Sequence, residues 1–198
     1  MKTFMITAVA AALMSTAAIA EDFKATEFVT TARSGALEFS IGTVDGDVST
    51  FTTGATVAEY TLGRFDTNVY TSLTYGRLTD TLDLTVEYNA QTALNDRWTA
   101  YGTAALSYVA ATGDLGAGDF FVAPTLGVSY AVNDRADVFG DVTYAWNASN
   151  DWARAGGALE IGVDYALNER VSVTPSLVRT FNTGADATNF KLEVGFSF

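Results

Sequence analysis

Phe190-Lys191-Leu192-Glu193-Val194-Gly195-Phe196-Ser197-Phe198 decides how the rest of the chain is read. Phe190, Leu192, Val194, Phe196 and Phe198 fall on one side of an extended strand, and Lys191, Glu193, Gly195 and Ser197 on the other. A period of two marks a strand with one apolar and one wet face. Two environments satisfy it: the edge of a soluble β-sandwich, or a barrel wall with lipid outside and water inside. A bare aromatic end is unusual for a soluble domain, whose termini are normally polar and frayed. The remaining residues have to separate the two.

The N-terminus gives the compartment. Lys2 supplies a positive charge, residues 4–13 are apolar but too few to span a bilayer, and Ala18-Ile19-Ala20 is an A-x-A cleavage site before Glu21. Residues 1–20 therefore read as a secretory signal peptide, and residues 21–198 as an exported chain of one domain. No later stretch approaches about 18 uninterrupted apolar residues, the length a membrane helix needs.

Composition removes several classes of function. There is no cysteine and no histidine, which excludes disulfide stapling, thiolate zinc sites, and the Ser-His or Cys-His nucleophile pair. The chain carries 11 Lys+Arg against 23 Asp+Glu, a net charge of −12. Loss of Lys2 with the signal peptide makes the remainder still more acidic, so nucleic acid is not an expected partner. A hydrophobic content of 48% with 13% aromatics rules out disorder.

From Ala36 onward, period-two runs alternate with turn residues. Leu37, Phe39 and Ile41 oppose Glu38 and Ser40; Ala58, Tyr60 and Leu62 oppose Glu59 and Thr61. Val69 to Tyr75 and Leu82 to Tyr88 form the next pair, the apolar phase switching between them at a turn. Four further strands carry Trp98 to Tyr108, Phe120 to Tyr130, Val138 to Trp146 and Leu159 to Tyr165, and a ninth begins at Val171. Residues 45–53, 113–118, 147–154 and 182–186 read as polar loops.

A turn motif repeats between these runs. Asn95-Asp96-Arg97, Asn133-Asp134-Arg135 and Asn168-Glu169-Arg170 each follow an apolar residue and precede a new strand, and Gly63 to Asp66 is a degenerate copy. Asn tolerates the left-handed conformation and Asp caps its own backbone, which suits both to tight turns. Short turns alternating with longer loops is the asymmetry of a transmembrane β-barrel, with the short turns on the periplasmic side. Aromatics agree: Tyr60, Tyr88, Trp98, Tyr130, Tyr165 and Phe198 lie near the short turns, and Tyr75, Tyr108, Phe120, Tyr144, Trp146, Phe181 and Phe190 near the loops. Girdles of this kind sit at headgroup level.

With these residues in hand, the chain resembles small bacterial outer-membrane β-barrels of the OmpA-barrel, OmpX or small-porin type. The resemblance rests on the signal peptide, the repeated turn and the terminal strand. It implies that Phe190, Leu192, Val194, Phe196 and Phe198 form the signal read by the outer-membrane assembly machinery. The expected fold is all-β, an antiparallel up-and-down transmembrane barrel of ten strands, with eight as the alternative. Residues 35–198 make the barrel and residues 21–34 a periplasmic arm. Both chain ends then lie on the periplasmic side, in the bacterial outer membrane, with lipid as the surrounding partner and a monomer as the expected state.

The inward phase carries Glu38, Glu59, Asp83, Glu87, Asp137, Asp141, Glu160, Asp164 and Glu193 among mostly small neighbours, with Lys191 on the same face. Unpaired acids in a dry interior cost several kcal/mol each, so a hydrated interior is expected. The function this supports is a narrow, cation-preferring channel for small solutes. The alternative is a structural or adhesive barrel with a non-conducting lumen. No enzyme, cofactor or metal is expected: barrel enzymes of this size use a histidine, and no twelve-residue calcium-ligand pattern occurs.

Overall fold

A computed structural model describes residues 23–181 and 186–198, with side chains from residue 27 onward. The expected signal peptide lies outside the described residues. Eleven strands form one closed barrel: β1 (Phe23–Ser34), β2 (Leu37–Val44), β3 (Asp47–Leu62), β4 (Phe65–Gly76), β5 (Thr81–Ala93), β6 (Trp98–Ala111), β7 (Asp114–Asn133), β8 (Ala136–Asn147), β9 (Ala153–Asn168), β10 (Val171–Phe181) and β11 (Ala187–Ser197). Each strand pairs with its sequence neighbours in antiparallel fashion, and β1 closes the barrel against β11 in parallel.

The strand number corrects both expectations, ten and eight. The segment expected to be a periplasmic arm contributes β1, and a barrel with an odd number of strands must contain one parallel pair. Glu27 to Arg33 align with Lys191 to Ser197 at that seam. The C-terminal strand is held from both sides, Phe198 N donating to Arg33 O at 3.0 Å and Ser197 N to Arg170 O at 2.9 Å. Because β1 and β11 point the same way, Phe23 and Phe198 lie at opposite ends of the barrel. The expectation that both chain ends share one side is overturned for the same reason.

Five tight connections gather at the Phe198 end: Gly35–Ala36, Gly63–Arg64, Leu94–Arg97, Asp134–Arg135 and Glu169–Arg170. In the repeated motif the asparagine side chain, rather than a left-handed backbone, makes the turn. Asn95 Oδ1 accepts from Arg97 N and Trp98 N at 2.9 and 3.0 Å, and Asn168 Oδ1 from Arg170 N and Val171 N at 2.8 and 3.1 Å. Asn133 accepts from Arg135 N at 2.8 Å. None of the three has a positive φ.

The opposite end is more compact than the sequence suggests. Residues 45–53 are not a polar loop: Asp45 and Gly46 have φ of 50° and 90° and form a two-residue hairpin turn, after which β3 begins at once. An Asp-Gly pair is suited to such turns because both positions need positive φ. Residues 113–118 likewise shrink to a turn at Thr112–Gly113, and β7 extends back to Asp114. Threonines on both faces of the β3 extension (Thr50, Thr52, Thr53) and the glycines Gly116 and Gly118 in that of β7 conceal the alternation.

The barrel is inverted relative to a soluble domain. Among the described residues the buried hydrophobics are Ala110, Leu192 and Val194, whereas ten polar or charged residues, including Glu38, Thr85, Asn89, Thr174 and Glu193, are buried. Leu37, Phe39, Ile41, Leu84, Leu106, Leu126, Leu159 and Ile161 are exposed. A continuous apolar exterior of this extent needs an apolar surround. Tyr60–Tyr88 and Trp98–Tyr130 make ring contacts at 6.4 and 5.0 Å at the tight-turn end. Tyr108–Phe120 and Tyr144–Phe181 do so at 4.8 and 5.3 Å at the other.

Candidate functional site: an acidic lumen

Strand register brings the acids of β8 and β9 face to face. Asp137 pairs with Asp164 and Asp141 with Glu160, with Phe139 opposite Gly162 between them. Like charges directly opposite destabilise a sheet unless other groups offset them. The next two strands supply those groups. Thr174 donates to Asp164, Ser176 Oγ donates to Glu160 Oε1 at 2.7 Å, and Lys191 Nζ lies 2.8 Å from Glu193 and 3.6 Å from Glu160.

On the far wall, Arg33 Nε donates to Glu38 Oε2 at 3.1 Å, and Tyr70 Oη donates to Glu38 Oε1 at 3.1 Å. Thr85 donates to Asp83 at 2.7 Å and shares a 2.6 Å hydrogen bond with Ser107. In-register polar side chains continue around the wall: Asn89 donates to Asn68 at 3.0 Å, Thr103 donates to Asn89 at 2.6 Å, and Thr125 meets Thr143 at 2.6 Å. Such bonds run along the wall from strand to strand and satisfy polar groups that the exterior cannot accommodate.

Two tyrosines lie flat against this wall. A Cβ built on Gly127 would come within 2.4 Å of Tyr101 Cζ, and one on Gly54 within 2.4 Å of Tyr70 Cζ. Each ring therefore covers an inward glycine on the adjacent strand. Each hydroxyl reaches a carboxylate one strand further on: Asp141 for Tyr101, at 3.0 Å, and Glu38 for Tyr70.

The wall encloses a cavity of about 990 Å³ that runs from Asp96, Arg97, Asn133, Asp134 and Arg135 at the tight-turn end to Thr143 and Lys191. Of the nine acids expected to face inward, Glu87, Asp137, Asp141, Glu160, Asp164 and Glu193 line it. Glu38 is buried in the cluster with Arg33 and Tyr70. Asp83 pairs with Thr74 and Val109, on the face of Thr85 further from the tight turns. Glu59 pairs with Asn68 but is exposed near the turn at Gly63, beyond a bulge between Thr56 and Ala58. At the rim, Arg97 Nη1 donates to Tyr130 Oη at 2.9 Å, which holds the guanidinium above its ordinary pKa.

Arg33 was not legible as a lumen residue, nor was the way Tyr70, Tyr101 and Phe139 lie against the wall. Arg33 falls in the segment expected to be an arm. The three aromatics sit on the inward phase, and only knowledge of strand pairing shows the glycines that receive them. The terminal-strand residues lie on the outward face, Leu192 opposite Phe28 and Pro175, and Val194 packed with Phe28, Val171 and Val173.

No protein-family profile matches the chain, and no curated protein matches it by sequence. Solved structures do. One described as the NanC porin in a rhombohedral crystal form is similar with a TM-score of 0.64 and 9% identity, over 87% of this chain and 92% of that one. The chain has a porin-type barrel fold. OmpT of Vibrio cholerae, expressed in the outer membrane, scores 0.46 at 13% identity over 86% of this chain and 64% of that one. The outer-membrane channel DcaP of Acinetobacter baumannii scores 0.39 at 13% identity over 85% and 60%. Of the three, the first establishes the fold.

Proposed function

We propose that the exported chain is a bacterial outer-membrane barrel of the small-porin type, and that its lumen passes small solutes with a preference for cations. The observation that carries this reading is the cavity of about 990 Å³ lined by eight carboxylates, six of them on inward strand positions, against Lys191 and the two turn arginines Arg97 and Arg135. Fixed negative charge with low-dielectric walls behind it concentrates cations and repels anions. Eleven strands also enclose more room than eight, whose interior side chains largely fill. Transport rather than catalysis suits a chain without histidine.

The test is reconstitution of the refolded barrel into planar bilayers under a KCl gradient. The expected result is a small conductance whose reversal potential is displaced toward that of K⁺. A silent membrane overturns the channel and leaves a structural or adhesive barrel; displacement toward Cl⁻ overturns the cation preference alone. The terminal strand is proposed as the assembly signal, so deletion of Phe198 is expected to leave export intact and to impair insertion. Normal insertion of that variant would remove the role.

A further inference from the structure

We propose that Tyr101 sets the free bore of the lumen, and that Gly127 is the recess that keeps its ring out of the path. The inference rests on the channel reading above and adds a calibre-determining residue to it.

Tyr101 on β6 pairs directly with Gly127 on β7, which pairs in turn with Asp141 on β8. The ring spans the intervening strand and its hydroxyl donates to Asp141 Oδ2 at 3.0 Å. Both Tyr101 and Asp141 line the large cavity. A ring held parallel to the wall narrows a lumen far less than one standing off it, and an aromatic side chain on the inward face of a strand stands roughly perpendicular to the sheet unless a neighbour lets it lie down. Glycine, lacking a side chain, is the residue that permits this.

At Gly127 the inward ring supplies all three of the nearest atoms. The three atoms closest to a Cβ built there are Cζ, Cε2 and Oη of Tyr101, at 2.4, 2.5 and 2.6 Å. At Gly54 the Thr71 carbonyl also comes within 2.9 Å, and at Gly162 the Ser176 Cβ within 2.8 Å, so a methyl group at either meets more than the ring. At Gly127 the first obstacle is the far end of one rotatable side chain. A methyl group there pushes the ring off the wall, toward the lumen that Tyr101 lines.

The test compares single-channel conductance of the native barrel with G127A, Y101A and the double variant, each first shown to be folded by its heat-dependent shift on a gel. G127A is expected to lower conductance by about twofold or more, because current scales with the free cross-section at the narrowest point. Y101A is expected to raise it, and the double variant to match Y101A, since the methyl group then has no ring to displace. Native conductance from G127A, or a double variant as low as G127A, would overturn the proposal. Y101A introduces no new atoms, so it decides the matter if G127A does not fold: unchanged conductance in that variant would also overturn it. A native barrel that conducts but ignores these substitutions removes the calibre role alone, whereas a silent native barrel removes the channel reading and the proposal with it.

Discussion

Lys191 Nζ lies 2.8 Å from Glu193 and 3.6 Å from Glu160, a lone lysine set among the acids of the cavity wall. Glu193 sits on its own strand, β11, and Glu160 on β9, so the Glu160 pair ties the closing strand to the wall two positions away. Lys191 also aligns with Glu27 across the parallel seam.

Replacing Lys191 with Gln leaves Glu160 and Glu193 without their cation. Stability is expected to fall by about 1–3 kcal/mol, less than for a fully dry pair because part of the charge is hydrated. The same variant is expected to move the reversal potential further toward K⁺. Denaturant unfolding in lipid vesicles and bilayer recording measure the two effects, and an unchanged potential would put the cluster off the ion path.

Leu126 on β7 projects from the exterior at 69% exposure, paired on either side with Gly102 and Val142. If that surface faces lipid, Leu126→Arg is expected to destabilise the barrel by about 2–4 kcal/mol in bilayers. The same substitution on a water-facing strand would be nearly neutral, so reversible unfolding in vesicles separates the two surroundings.

Asn168 accepts two backbone hydrogen bonds, from Arg170 N and Val171 N. Asn168→Ala is expected to cost about 1 kcal/mol, the net value of such bonds at an exposed turn. Asn168→Gly removes the same acceptor while freeing the backbone. If glycine rescued stability, backbone conformation rather than side-chain acceptance would be what the turn requires.

Thr30 and Val194 align across the parallel β1–β11 seam, and the chain has no cysteine of its own. Thr30→Cys with Val194→Cys is expected to be joined by a short bifunctional maleimide in the folded barrel, converting it to a form that no longer opens on boiling. A ten-strand barrel with residues 21–34 outside the wall would leave the pair unjoined. Eleven crossings also place a tag before residue 23 and a tag after Phe198 on opposite sides of the membrane, which protease protection of each tag in vesicles reads directly.

What the sequence determined by itself was the face each residue takes along most strands. That property is local: alternation follows from the pleat, so Leu192 and Glu193 declare their sides without reference to any partner. The acids of β8 and β9 and the repeated asparagine turns were legible for this reason. β1 was not, because its alternation is weak. Val29 and Thr31 face inward while Thr30 and Ala32 face outward, so neither side reads as clearly wet or apolar.

Only the tertiary structure decided the strand number, the parallel seam and the meeting of Tyr101 with Gly127 and Asp141. Those depend on which residue of one strand stands opposite which residue of another, across separations of 26 and 40 positions in the last case. Register between distant strands is set by closure of the whole sheet, and no local period encodes it.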